Sequence, residues 1–215
     1  MNEDLRQSIP FEEFDYQALM GALSAYARPR DKVTDLLAKG VIVRVKKGLY
    51  IFGEKWRRTP YSREILANLL YGPSCVSLDY ALHYHGLIPE GVEMVTSVTS
   101  KRGARFATPV GTFLYSSVPE AGFSVGLARV ELEDGRAFLI AAAEKALADK
   151  LLQGRGLGLR SQKECLSYLE EELRIETAAL RELDADLLDG LSRTYRSSRV
   201  ALLAALVRRL ARRKG

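Results

Sequence analysis

Residues 28–52 read RPRDKVTDLLAKGVIVRVKKGLYIF, and two different periodicities meet inside that stretch. In its first half Pro29 stands where a helix starts, Val33, Leu36 and Leu37 recur at helical spacing, and Lys39-Gly40 ends the run. In its second half, residues 41–45 and 49–52 are β-rich runs around the basic turn Lys46-Lys47-Gly48, the pattern of a hairpin. Just upstream, Asp15 is placed to cap a helix over about residues 15–26, with Tyr16, Leu19, Met20, Leu23 and Tyr26 on one face. Helix, short turn, helix and a basic-tipped hairpin follow one another as in a winged helix-turn-helix. There the second helix offers its N-terminal residues to base edges while the wing follows the phosphates. The expected DNA-binding residues are Arg28, Arg30, Lys32 and Thr34 on that helix and Arg44, Lys46 and Lys47 on the wing. Asp31 and Asp35 interrupt the first group. A protein-interaction module with a solvated basic face is the competing interpretation.

Working outward, the 215 residues fit one large domain or two small ones, and 47% hydrophobic with 27% charged residues excludes a disordered tail or a fibre. The expected division is a winged helix-turn-helix over 1–55 and a mixed α/β domain over 60–215, α+β overall, with a helical C-terminal part. The longest apolar runs, such as 137–143, are far shorter than the roughly 20 residues that cross a bilayer. The acidic N-terminus lacks the basic and apolar regions of a secretory signal, so a cytoplasmic location is expected. Cys75 and Cys165, far apart, suit reduced thiols. The net charge of +5 hides a strong partition: residues 1–20 carry −4, 21–60 carry +7, 61–150 carry −2, 151–190 carry −4 and 191–215 carry +8. Two basic blocks suggest a polyanionic partner.

Within 60–215, residues 61–70 read as an amphipathic helix, and Ser77 is placed to cap a second one that stops at Gly86. Residues 92–99 and 111–118 read as strands around a loop containing Lys101, Arg102 and Arg105. Asp134-Gly135 marks a hairpin, and from Ala142 the pattern is helical to the end, with breaks at 154–158 and Gly190. Chemical motifs are sparse. His83 and His85 are two apart without further ligands, Gly154-Arg155-Gly156-Leu157-Gly158 lacks the strand and the Lys-Ser/Thr ending of a phosphate loop, and there is no Gly-x-Ser-x-Gly or His-Glu-x-x-His. A carboxylate-and-lysine nuclease would draw on Glu131, Glu133, Asp134, Lys145 and Lys150. The expectation is no enzyme, no metal and no cofactor. Val200, Leu203, Leu206, Val207 and Leu210 form an apolar stripe beside Arg193, Arg196, Arg199, Arg208, Arg209, Arg212, Arg213 and Lys214. That helix suits packing on its own core, a nucleic acid, or a partner protein or membrane.

Three segments together, LLAKGVIVRVKKGLYI over 36–51, VSLDYALHYHGLIP over 76–89 and AEKALADK over 143–150, resemble the AbiEi antitoxins of type IV toxin-antitoxin (abortive infection) systems. Order and spacing correspond from about residue 15 to 152, and Ala143 stands where that family often has Pro. The resemblance implies a winged helix that binds inverted repeats in its own promoter and represses it, wing contacts from Arg44, Lys46 and Lys47, and a second domain that counters a nucleotidyltransferase-like toxin without a stable complex. A ligand-responsive transcription regulator unrelated to a toxin is the alternative.

Overall fold

The protein is described by a computed structural model over residues 2–154 and 156–212, and its fold is mixed α+β. The N-terminal part runs α1 (Asn2–Ser8), β1 (Glu13–Asp15), α2 (Tyr16–Ala22), α3 (Pro29–Ala38), β2 (Ile42–Lys46) and β3 (Leu49–Phe52). β1 and β2 flank β3 in an antiparallel sheet, with Glu13 opposite Ile51 and Ile42 opposite Phe52. Asp15 caps α2 as expected, accepting from the Ala18 amide at 2.8 Å. The helix ends at Ala22, earlier than expected, because Leu23 closes the last turn and buries itself. Leu19, Leu23, Val33, Leu36, Val41, Ile42, Tyr50 and Phe52 form this part's core, joined by Leu5, Ile9 and Phe14 from the segment before α2. Where the chain leaves α3 and later β3, Gly40 (φ 64°) and Gly53 meet so closely that a Cβ on Gly53 would lie 1.9 Å from the Gly40 carbonyl oxygen. Only glycine fits there.

The rest is built on a six-stranded mixed sheet. Its elements are α4 (Arg63–Leu70), β4 (Cys75–Val76), α5 (Leu78–Tyr84), β5 (Val95–Thr99), β6 (Ala104–Thr108), β7 (Gly111–Ser117), α6 (Glu120–Phe123), β8 (Leu127–Glu131), β9 (Ala137–Ala141), α7 (Ala143–Gln153), α8 (Gln162–Ser167), α9 (Thr177–Arg181), α10 (Ala185–Tyr195) and α11 (Ser198–Arg212). The strand order is β6-β7-β5-β4-β9-β8, with β5/β7 and β4/β9 parallel and the other pairs antiparallel.

Four expectations are corrected here. The segment containing Lys101, Arg102 and Arg105 is partly the edge strand β6. Gly190 lies inside α10, and the break falls at Arg196, which adopts the left-handed conformation (φ 50°). Ser77 occupies the N-cap position of α5 without making the capping bond, because its hydroxyl is committed elsewhere. Three helices, α4, α5 and α6, precede or interleave with the strands, so the order is not strands first and helices after. The apolar stripe of α11 is entirely buried in the main core, the first of the three roles its pattern suits. Arg213 and Lys214 of that helix's basic series, and Arg155 of the glycine-rich segment, lie outside the described residues. Among the described residues no helix is long and apolar enough to cross a membrane.

The two parts share surface. Val45, Leu49 and Ile51 of the hairpin belong to the core of the larger part. Beside them Glu13 accepts two hydrogen bonds from one nitrogen of Arg136, at 2.8 and 2.7 Å, with the two side chains only 1% and 9% exposed. Arg136 also donates to Asp134 and to the Pro60 carbonyl at 3.2 Å, and Glu13 accepts from the Ser62 amide. Neighbouring Glu12 accepts from the Arg58 and Thr59 amides, both at 3.1 Å, and pairs with buried Arg6. Removing one member of a buried pair leaves an uncompensated charge, at a cost of about 3–5 kcal/mol. Arg136→Ala is therefore expected to lower the urea midpoint by that order and to speed proteolysis within 54–60; an unchanged midpoint would show that the pair does not hold the two parts together.

Candidate nucleic-acid interface

α3 buries Val33 and Leu36, which turns Arg30, Asp31 and Thr34 to solvent. Arg30 and Thr34, four residues apart, share one stripe, and the Thr34 hydroxyl donates back to the Arg30 carbonyl at 3.4 Å. No side chain caps the start of α3, so its first amides are unclaimed by capping next to Arg28 and Arg30. Arg28 is 83% exposed in its side chain, with only a loose 3.9 Å contact to Asp31. Lys32 differs. Its side chain is 14% exposed, its ammonium bonds Asp35 at 2.9 Å, and it lies 5.7 Å from the centre of the Tyr26 ring. Hydrogen bonds from Lys32 and from Lys39 hold the Asp35 carboxyl below the usual carboxylate range. Lys32 and Lys39 thus share the one carboxylate of Asp35, leaving Arg28 and Arg30 as the outward cations at the start of α3.

On the hairpin, Arg44 and Lys47 are exposed, and the Arg44 guanidinium stands 5.9 Å from the Tyr50 ring centre. Lys46 departs from the expected wing contact. Its ammonium donates to the Leu70 carbonyl at 3.0 Å and sits 4.4 Å from the centre of the Phe106 ring, so it is drawn toward the larger part. Of the seven residues expected at the interface, Arg28, Arg30, Thr34, Arg44 and Lys47 are exposed and outward, whereas Lys32 and Lys46 are held by neighbours.

A second cluster, which the sequence patterns did not reveal, lies in the core of the larger part. Lys145 and Asp149, one helical turn apart on α7, are fully buried with Ser77, and Tyr195 nearly so. The Lys145 ammonium lies 3.5 Å from Asp149, donates to the Gly122 carbonyl at 3.1 Å and reaches the Tyr195 hydroxyl. Tyr195 and Ser77 both donate to Asp149, the latter at 2.6 Å. Burial pushes the Asp149 carboxyl up, against the pull of Lys145 and the two hydroxyls. Burial and the neighbouring Asp149 charge also push the Tyr195 phenol up. Gly122 is needed because a Cβ there would meet the Tyr195 ring at 2.2 Å. Nearby, Lys150 bonds Asp79 at 2.8 Å. Segments 76–89 and 143–150 are thus joined twice, through Ser77–Asp149 and Asp79–Lys150, and with no exposed atom at the first link the network acts as a core lock.

The structure does not assemble the other chemical candidates. Glu131 pairs with Arg129 on the surface while Lys145 is sealed inside, so the nuclease carboxylates and lysines stay apart. His85 bonds the Ala141 carbonyl at 2.8 Å, and among the described residues no three His, Cys, Asp or Glu side chains cluster as metal ligands. Burial pushes the Cys75 thiol up to about 12 and the Cys165 thiol to about 11. Compared with protein-family models and with curated protein sequences, the chain matches none.

Two outcomes are expected. A thiol reagent at about pH 8 should label neither cysteine in the native protein and both in urea, since the reactive species is the thiolate; fast native labelling would contradict the packing. Tyr195→Phe should cost about 1–3 kcal/mol, because it strips a hydrogen bond from a buried carboxylate and a buried ammonium; an unchanged denaturation midpoint would show the network to be dispensable.

Proposed function

We propose that residues 2–52 form a winged helix that binds double-stranded operator DNA, and that the protein is a non-catalytic autorepressor and antitoxin countering a nucleotidyltransferase-like toxin. The observation that carries the DNA-binding reading is the arrangement of elements: α1-β1-α2-α3-β2-β3, a three-stranded sheet in the order β1-β3-β2, and α3 exposing Arg28 and Arg30 beside a hairpin exposing Arg44 and Lys47. α3 is the element that enters the major groove, and the β2–β3 turn is the wing on the phosphates. The ordered strand β1 supports this reading beyond what the helix-turn-helix pattern alone offered.

The antitoxin reading rests on the resemblance of three sequence segments. In the fold the second and third segments meet through Ser77–Asp149 and Asp79–Lys150. Neutralisation is assigned to the larger part. Because Val45, Leu49 and Ile51 belong to that part's core, deleting the first 53 residues would open it, and the two activities are better divided by point variants of the full chain.

With about 6–10 phosphate contacts, operator affinity should fall some 10³–10⁵-fold between about 50 and 200 mM salt. Arg44→Ala with Lys47→Ala should weaken binding to all sequences and reduce the salt slope by about 0.9 per lost phosphate contact, whereas Arg30→Ala should also relax sequence preference. Promoter binding unaffected by either change would remove this surface from the interface. In cells, the same variants should lose repression of the operon while still rescuing growth against the neighbouring gene product. If no nucleotidyltransferase gene lies adjacent, or if the wild type does not rescue growth, the antitoxin assignment falls and a ligand-responsive regulator takes its place.

A further inference from the structure

The C-terminal end of α4 gathers cations from both parts of the molecule. The last carbonyls of a helix have no partners within it and carry partial negative charge. Here Lys46 of the hairpin donates to the Leu70 carbonyl at 3.0 Å, and Lys101, from the turn between β5 and β6, donates at 2.6 Å to the carbonyl of Gly72, two residues beyond the helix. Tyr71 links the two. Its hydroxyl donates to the Arg102 carbonyl at 2.9 Å, and its ring lies 5.9 Å from the Lys101 ammonium and 5.8 Å from the Phe106 ring on which Lys46 rests. Lys46, Lys47, Lys101 and Arg102 are all exposed, and among the described residues no ion pair to a carboxylate involves any of them. These four cations thus form one strip across both parts, with Lys46 and Lys101 held in place by backbone carbonyls rather than by acids. Arg105 does not extend it, because the pleat of β6 sends Arg105 to the face opposite Phe106.

We propose that Lys101 and Arg102 of the larger part bind the phosphodiester backbone of the DNA whose operator the winged helix reads, extending the wing's contact along the flanking duplex. This rests on the winged-helix reading and adds a second, sequence-independent contact from outside it. Contacts to phosphates carry no sequence information, so the strip would raise affinity without adding sequence preference.

The test uses the full chain and two operator duplexes, one ending at the repeats and one extended on both sides, with binding followed by fluorescence anisotropy across salt concentrations. Lys101→Ala with Arg102→Ala should weaken binding to the extended duplex about tenfold and reduce the salt slope by about 2, with little change on the short duplex. Arg105→Ala, an equal loss of charge on the other face, should bind as wild type. Arg102→Glu serves as a second variant, since the structure engages Arg102 only through its backbone carbonyl and the substitution leaves that bond in place. Unchanged binding by both variants to the extended duplex, with Arg44→Ala/Lys47→Ala still impaired, overturns this inference alone. A wild-type protein that prefers no operator overturns the winged-helix reading and this inference with it.

Discussion

Glu13 and Arg136 stand 123 positions apart in the chain and meet in a pair almost closed to water. Such a pair survives burial only when its remaining lone pairs and protons are satisfied, and here they are: Arg136 also reaches Asp134 and the Pro60 carbonyl, and Glu13 takes the Ser62 amide. The connection that follows β3 is held by the neighbouring carboxylate, since Glu12 takes the Arg58 and Thr59 amides. The segment between the two expected domains is therefore clamped. With Val45, Leu49 and Ile51 set in the larger core, the hairpin has a defined direction relative to the six-stranded sheet. Lys46 and Lys101 converge on one helix end as a result, and the proposed surface spans both parts of the chain.

The second constraint lies inside the larger part. Sealing a lysine and an aspartate in a core is unfavourable unless each finds full hydrogen-bonding partners, and Ser77, Tyr195 and the Gly122 carbonyl supply them. Those partners come from three places in the fold, so α7 is tied at once to the start of α5, to α6 and to α10. This gives the AEKALADK segment a structural reason for its composition. Its helix face is polar where an ordinary core helix would be apolar, because Lys145 and Asp149 are the lock.

Legibility followed the range of the interactions. Asp15 as a cap, Pro29 at the start of α3, Gly40 at its end, the Lys46-Lys47-Gly48 turn and the Asp134-Gly135 turn all act over a few residues, and each was readable. β1, β4 and β6 were not. β1 and β4 are three and two residues long, and their place is set by Arg136 and by β5 and β9. Gly190 resembles a helix stop, yet α10 passes through it because Leu188 and Leu191 are buried on either side. Ser77 reads as an N-cap and occupies that position, but its hydroxyl bonds an aspartate far along the chain instead of the helix amides. The candidate interface is legible in composition and only partly in direction: nothing local distinguishes Lys47, free at the turn, from Lys46, exposed but held by the Leu70 carbonyl and the Phe106 ring.

The central claim is that α3 and the hairpin face DNA together in one fixed orientation, and the two buried cysteines make it directly measurable. With Cys75 and Cys165 inaccessible, Lys47→Cys offers a single reactive thiol at the wing tip, to which an iron chelate can be attached to cut nearby DNA. The account predicts strand cleavage at discrete positions beside the inverted repeats of the protein's own promoter, identical from one complex to the next. Cleavage spread evenly along the duplex, or none above that of unrelated DNA, would contradict it.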